Sequence, residues 1–168
     1  MAKKYSTVTV TPTIVKAAFD DNDVMGDFIQ LPLPVRDGGS VMLKNISIVD
    51  AEDLGKDLDI VFVKNVDGDA ELGTSGGAVD ITDANLNTNV FLGVVVIDFS
   101  AGASDLIGSQ VSTVKDVNMI LTSSNQTATT GAAESQTGCY FGLIAREATD
   151  TSGGSNNHLT ITFGFETL

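Results

Sequence analysis

Tyr5 to Val15 reads YSTVTVTPTIV, with Val8, Val10 and Ile14 on one parity and Thr7, Thr9, Thr11 and Thr13 on the other. A period of two is the pattern of a half-buried strand. Pro12 lies on the apolar parity and removes a ladder donor, which puts this strand at a sheet edge or bends it at Pro12. An acidic turn at Asp20 to Asp23 follows, then an extended segment through Phe28, Ile29, Leu31 and Leu33, where Pro32 and Pro34 exclude a helix. After the turn Asp37-Gly38-Gly39-Ser40, VMLKNISIV (Val41 to Val49) and LDIVFVK (Leu58 to Lys64) predict two core strands on either side of an acidic turn, Asp50 to Asp57.

The second half continues in the same manner. Asp67-Gly68-Asp69 and GTSGG (Gly73 to Gly77) read as loops. Ile81 to Asn87 offers the one short helix, of one or two turns, with Thr82 as N-cap and Asp83 in the first turn. VFLGVVVIDF (Val90 to Phe99) is apolar at nearly every position, the signature of a strand covered on both faces. Val111 to Leu121 is strand-like but weaker. Thr122 to Gly138 then runs 17 residues with almost no bulky apolar group and reads as a long exposed loop. CYFGLIAR (Cys139 to Arg146) returns to the core, a polar loop follows at Thr149 to Asn157, and Leu159, Ile161, Phe163 and Phe165 alternate with polar or small residues in the clearest strand of the chain. The sum is about eight or nine strands and at most one or two short helices. The expected fold class is all-β, a single-domain β-sandwich or jelly-roll-like barrel spanning residues 1–168, with residues 1–15 as an N-terminal contact strand or arm.

Composition sharpens this reading. Asp outnumbers Glu 17 to 5, a bias toward turns over helices. With 9 Lys and Arg against 22 Asp and Glu the net charge is −13, which repels phosphate backbones and anionic bilayers, so neither nucleic acid nor membrane is an expected partner. Hydrophobic residues at 42% and charged ones at 18% place the chain outside the disordered regime. The N-terminus MAKKYSTVTV lacks the apolar stretch of a secretory signal, and the run VFLGVVVI is eight residues long where a spanning helix needs about 20, so a soluble protein made in a cytoplasm is expected. Cys139 is the sole cysteine, which excludes an intrachain disulfide.

Candidate chemistry is thin. His158, the one histidine, reads as a surface or strand-end residue, and Cys139, in an apolar strand, as a small buried hydrophobe rather than half of a Cys-His dyad. No nucleophile elbow and no phosphate loop occurs. Asp20, Asp21, Asn22, Asp23 and Asp27, or Asp67, Asp69 and Glu71, could supply oxygens to a hard cation, but the spacing breaks the EF-hand series at Met25; solvated turns are the expected role. Absent Trp and scarce Tyr speak against a sugar platform. No catalytic, cofactor-binding or metal-binding residue is assigned, and no cofactor is expected.

A resemblance adds a role. PTIVKAAFDDNDVMGDFIQLPLPVRDGGSVMLKNISIVD (Pro12 to Asp50), then DLDIVFVKN (Asp57 to Asn65), FLGVVVID (Phe91 to Asp98) and GLIAREATDT (Gly142 to Thr151), resemble along most of the chain a class of small virion proteins of tailed bacteriophages, the capsid decoration or cement proteins. The resemblance implies a non-enzymatic virion protein on the capsid exterior, a homotrimer bound to the major capsid protein and stabilising the shell through inter-subunit contacts. It carries no catalytic residues. A phage tail or head-fibre component is the alternative from the same setting; a carbohydrate-binding or hydrolytic β-sandwich is the alternative of another class. Lys3 and Lys4 are basic against an acidic chain, and Tyr5, Val8, Val10 and Ile14 of the first strand are the expected interface residues, able to pair with an exposed sheet edge of a neighbour.

Overall fold

The computed structural model describes residues 4–14, 18–36, 38–53, 55–66, 71–99, 104–106, 108–124, 138–150 and 158–168. Within them run β1 (Tyr5–Val10), β2 (Ala18–Phe19), β3 (Val24–Pro32), β4 (Ser40–Asp50), β5 (Leu58–Val63), α1 (Asp83–Asn89), β6 (Phe91–Ile97), β7 (Ser104–Leu106), β8 (Ser109–Val114), β9 (Met119–Thr122), β10 (Gly138–Ala145), β11 (Thr149–Asp150) and β12 (Leu159–Thr167). Ten of these strands form two antiparallel sheets. The first has the order β1-β12-β4-β8-β7 with β9 also on β4, the second β3-β10-β5-β6, and β2 with β11 makes a small ribbon.

The pairings nest. β5 bonds β6, β4 bonds β8, β3 bonds β10 and β1 bonds β12, each pair enclosing the previous one in sequence. The two contacts β4-β12 and β5-β10 then complete the sheets. A long antiparallel hairpin rolled on itself in this way is a jelly roll. The all-β sandwich expected from alternation is therefore present. β2, β7 and β11, at two or three residues each, are too short for a period of two to register in the sequence.

Alternation explains the core. On β12, Leu159, Ile161, Phe163 and Phe165 point between the sheets, facing Phe62 of β5 and Cys139, Phe141 and Leu143 of β10. Phe163 lies 5.2 Å from Phe141 and 6.1 Å from Phe62, ring centroid to centroid, which ties the sheets together at their centre. The chain ends of the strands are set by local chemistry. β8 and β9 are separated by Asp116 and Asn118, both at positive φ, where the weakly patterned segment turns. Thr82 caps α1 by accepting a hydrogen bond from the Asn85 amide at 3.2 Å, as its sequence predicts.

Two expectations change. The apolar run of β6 predicts cover on both faces, yet β6 is the last strand of its sheet, and Phe91, Val94 and Val96 are about half exposed along its outer face. A run of apolar residues has the same appearance in a central and in a terminal strand. His158 is at a strand end but not at the surface: it is buried beside β12, and its carbonyl accepts the Ala51 amide at 2.9 Å. The loops expected at 67–69 and, within Thr122 to Gly138 and Thr149 to Asn157, at 125–137 and 151–157 lie outside the described residues; Thr122 ends β9, Gly138 begins β10, and Thr149 and Asp150 pair with β2, so these four stand in strands instead of loops. No helix among the described residues is long and apolar enough to cross a membrane.

Candidate interaction surface

The predicted contact strand is an edge strand, as Pro12 implies, paired along its full length with β12 from Tyr5↔Glu166 to Val10↔Ile161. Its residues divide by parity. Val8 and Val10 face inward and pack against the core, and Ile14 is a core residue itself, so these three present little to a neighbour. Tyr5 is 66% exposed. Only it, of the four, is displayed at the surface.

Tyr5 forms one wall of an open groove of about 550 Å³ whose other walls are Ser6, Thr7, Lys44, Asn45, Lys115, Asp116, Gly164 and Phe165. Strand register assembles it. Thr7 stands opposite Gly164, Gly164 opposite Asn45, and Ile46 opposite Val114, which carries Lys115 up beside Lys44. Gly164 makes the floor low, since a β-carbon there would collide with the Asn45 side chain. The Lys44 amine donates to Asn118 Oδ1, a neutral acceptor. The Ser6 hydroxyl lies on the inward face, opposite the core residue Phe165, and has no hydrogen-bond partner among the described residues.

The carboxylates collect at the other end of the sandwich. Short connections bring the Asp20–Asp23 turn, Glu52, Asp53, Asp57, Asp59, Asp98 and Glu147 together around the start of β5 and the end of β10. Both cations described there are matched. Arg146 binds Asp59 at 3.0 Å, which raises the guanidinium pKa further through that hydrogen bond and the opposed charge, and Lys56 lies 3.6 Å from Glu147. Several of the acids hold backbone rather than solvent: Asp57 accepts the Phe99 amide at 2.7 Å, Asp23 the Asp20 amide at 2.7 Å, and Asp50 the amides of Glu52 and Gly55. Asp27, considered above as a cation ligand, instead accepts the Leu72 amide at 2.7 Å and fixes the segment that crosses the outer face of the second sheet. Among the described residues no group of three or more His, Cys, Asp or Glu side chains is placed to hold a metal ion. Asp67 and Asp69 lie outside those residues.

The two nucleophile candidates separate. Cys139 is on β10 and His158 precedes β12, so they belong to opposite sheets. Burial pushes the Cys139 thiol up to about 12, where it stays protonated and unreactive, the structural role expected for it.

A second surface was not foreseen. Beside Phe91, a shallower cleft of about 320 Å³ runs against Asp83, Leu86 and Asn87 of α1, and Val94 and Val96 continue the apolar row along β6. Segment 71–90 covers the outer face nearer β10, where Leu72 packs over Gly142 at a distance of 2.7 Å from where a β-carbon would lie, and leaves Phe91, Val94 and Val96 of β6 about half exposed. The excess of apolar residues in VFLGVVVI, beyond what one inward face needs, was the available signal.

No protein-family model matches this sequence, and no curated protein matches it. Among solved structures, the fold is similar to a chain from the Sacbrood virus of honeybee in its expansion state I, at 12% identity and a TM-score of 0.33, over 99% of this chain and 85% of that one.

Proposed function

We propose that this chain is a structural virion protein that binds the outside of a tailed-phage head as a decoration protein, as a homotrimer seated on the major capsid protein. The observation that carries the reading is the terminal strand β6. Its outer face presents Phe91, Val94 and Val96 in one exposed row, and no strand bonds its far side among the described residues. An apolar row on an open sheet edge is a site where another chain adds, by main-chain hydrogen bonds and alternate side-chain pockets. The resemblance along most of the chain supplies the setting, and a net charge of −13 keeps an exterior protein off the packaged genome.

The mechanism is multivalent clamping. Each protomer contributes a modest contact, and three joined protomers turn weak contacts into slow release because a detached arm rebinds at high effective concentration. The test mixes purified protein with heads that lack it and follows co-sedimentation. Saturable binding, lost on Val94→Lys with Val96→Lys, is the expected result; sedimentation of heads without the protein overturns the reading. Labelling that finds the protein on tails or fibres of the virion instead would favour the tail or head-fibre alternative.

A further inference from the structure

We infer that the groove of Tyr5, Lys44 and Lys115 is a self-association site, and that its occupant is the carboxylate-rich end of a second copy of this chain. The inference deepens the decoration reading and rests on its homotrimer.

Two observations meet at this groove. The first is charge. The chain carries −13 overall, yet two lysines converge here, and neither forms an ion pair among the described residues. The cations at the opposite end, Lys56 and Arg146, are both paired. Lys44 and Lys115 are thus available to anions in a molecule whose most abundant anion is its own Asp. The second is Tyr5, 66% exposed at the rim, an amphipathic side chain that suits an interface.

The geometry favours a ring. The groove lies on the first sheet near the start of β1 and the middle of β4, while the Asp20–Asp23 turn and residues 51–53 and 55–57 cap the far end of the sandwich. A contact between two different patches of the same chain is heterologous, and such contacts close into cyclic oligomers when the rotation permits. Asp20 and Asp21 are exposed on that turn, and Lys115 is exposed in the groove. Asp116 lines the groove too, and the two lysines leave it with a net positive charge. Opposite-charge steering between these ends also explains how subunits of −13 can approach one another, since the interacting surfaces are of opposite sign while the whole molecules repel.

The experiment measures the mass of the full-length protein by light scattering during size-exclusion chromatography, at low and at high salt. The wild type is expected near three times 17.5 kDa at low salt and to dissociate as salt rises. Lys44→Glu with Lys115→Glu is expected to raise the concentration needed for assembly by about tenfold or more, with Lys44→Arg and Lys115→Arg retaining it. Adding Asp20→Lys and Asp21→Lys to the glutamate variant restores opposite charges at both ends and is expected to recover assembly. Circular dichroism confirms that each variant is folded. A monomeric wild type, or a glutamate variant that assembles as the wild type does, overturns the inference. Head binding is scored separately: a folded monomer that still sediments with heads removes the self-association site and leaves the decoration reading standing, whereas an assembled trimer that ignores heads does the reverse.

Discussion

Replacing Phe163 by alanine removes the ring through which the first sheet meets the second. Phe163 is fully buried, 5.2 Å from Phe141, 6.1 Å from Phe62 and 6.5 Å from Phe165 between centroids. Truncating a buried phenylalanine costs about 3–5 kcal/mol, from lost transfer free energy and from the cavity left behind. Two of its three ring neighbours belong to the opposite sheet, so the cavity opens between sheets that are held apart by β-strand backbones and cannot collapse freely. The upper part of the range, about 4–5 kcal/mol, is therefore expected. For a domain of this length each kcal/mol lowers the melting temperature by about 2–4 °C, which predicts a fall of about 8–20 °C. Thermal unfolding by circular dichroism, with urea titration at 25 °C, measures it. Phe163→Leu keeps most of the apolar volume and should cost about 1–2 kcal/mol. Thr162→Ala, one position along on the outer face where Thr162 shares a 3.0 Å hydrogen bond with Thr9, should cost less than about 1 kcal/mol. A loss below about 1 kcal/mol for Phe163→Ala, or equal losses at 162 and 163, would refute the placement of the strand faces.

Two further outcomes follow from buried polar groups. The unfolded chain releases the Cys139 proton near 9.0 and the folded chain holds it to about 12, so between those values the unfolded state binds fewer protons and stability falls as pH rises. The slope is about 1.4 kcal/mol per pH unit; stability measured from pH 8 to 11 should show it, and Cys139→Ala should remove that component, while ready maleimide labelling of the native thiol at pH 8 would contradict it. Asp27→Ala leaves the Leu72 amide without its acceptor and frees segment 71–80, with a loss of about 1.5–3 kcal/mol expected for a hydrogen bond to a charged group. Hydrogen exchange at Leu72 should quicken by about ten- to a hundredfold, and unchanged protection would count against the tether.

Much of the fold was legible in local pattern. The alternation of Leu159 to Phe165, the turn at Gly38 and Gly39 and the Thr82 cap each depend on sterics and hydrogen bonds within a few residues, which is the range over which a sequence displays its own structure. Parity told that Tyr5 and Val8 lie on opposite faces of one strand, and Pro12 that the strand stands at an edge. The same reasoning could not rank Tyr5 above Val8, Val10 and Ile14 as a contact residue, because burial depends on what lies across the strand.

Neighbourhood across the sandwich follows long-range pairing instead. Lys44 and Lys115 meet because Ile46 stands opposite Val114, and Tyr5 joins them through β12, which enters from the other end of the chain. Nothing in either lysine's local sequence records the other. The exposure of Phe91, Val94 and Val96 has the same origin: β6 is terminal because β5 already bonds β10 on its other side, a fact about a strand more than forty residues later. His158 is buried because the connection after β4 folds over it, through the Ala51 amide. Strand propensity and parity are short-range quantities and appear in the letters of the chain, whereas the edges, the charge-separated ends and the groove arise only when the nested pairings close and bring distant residues onto one face.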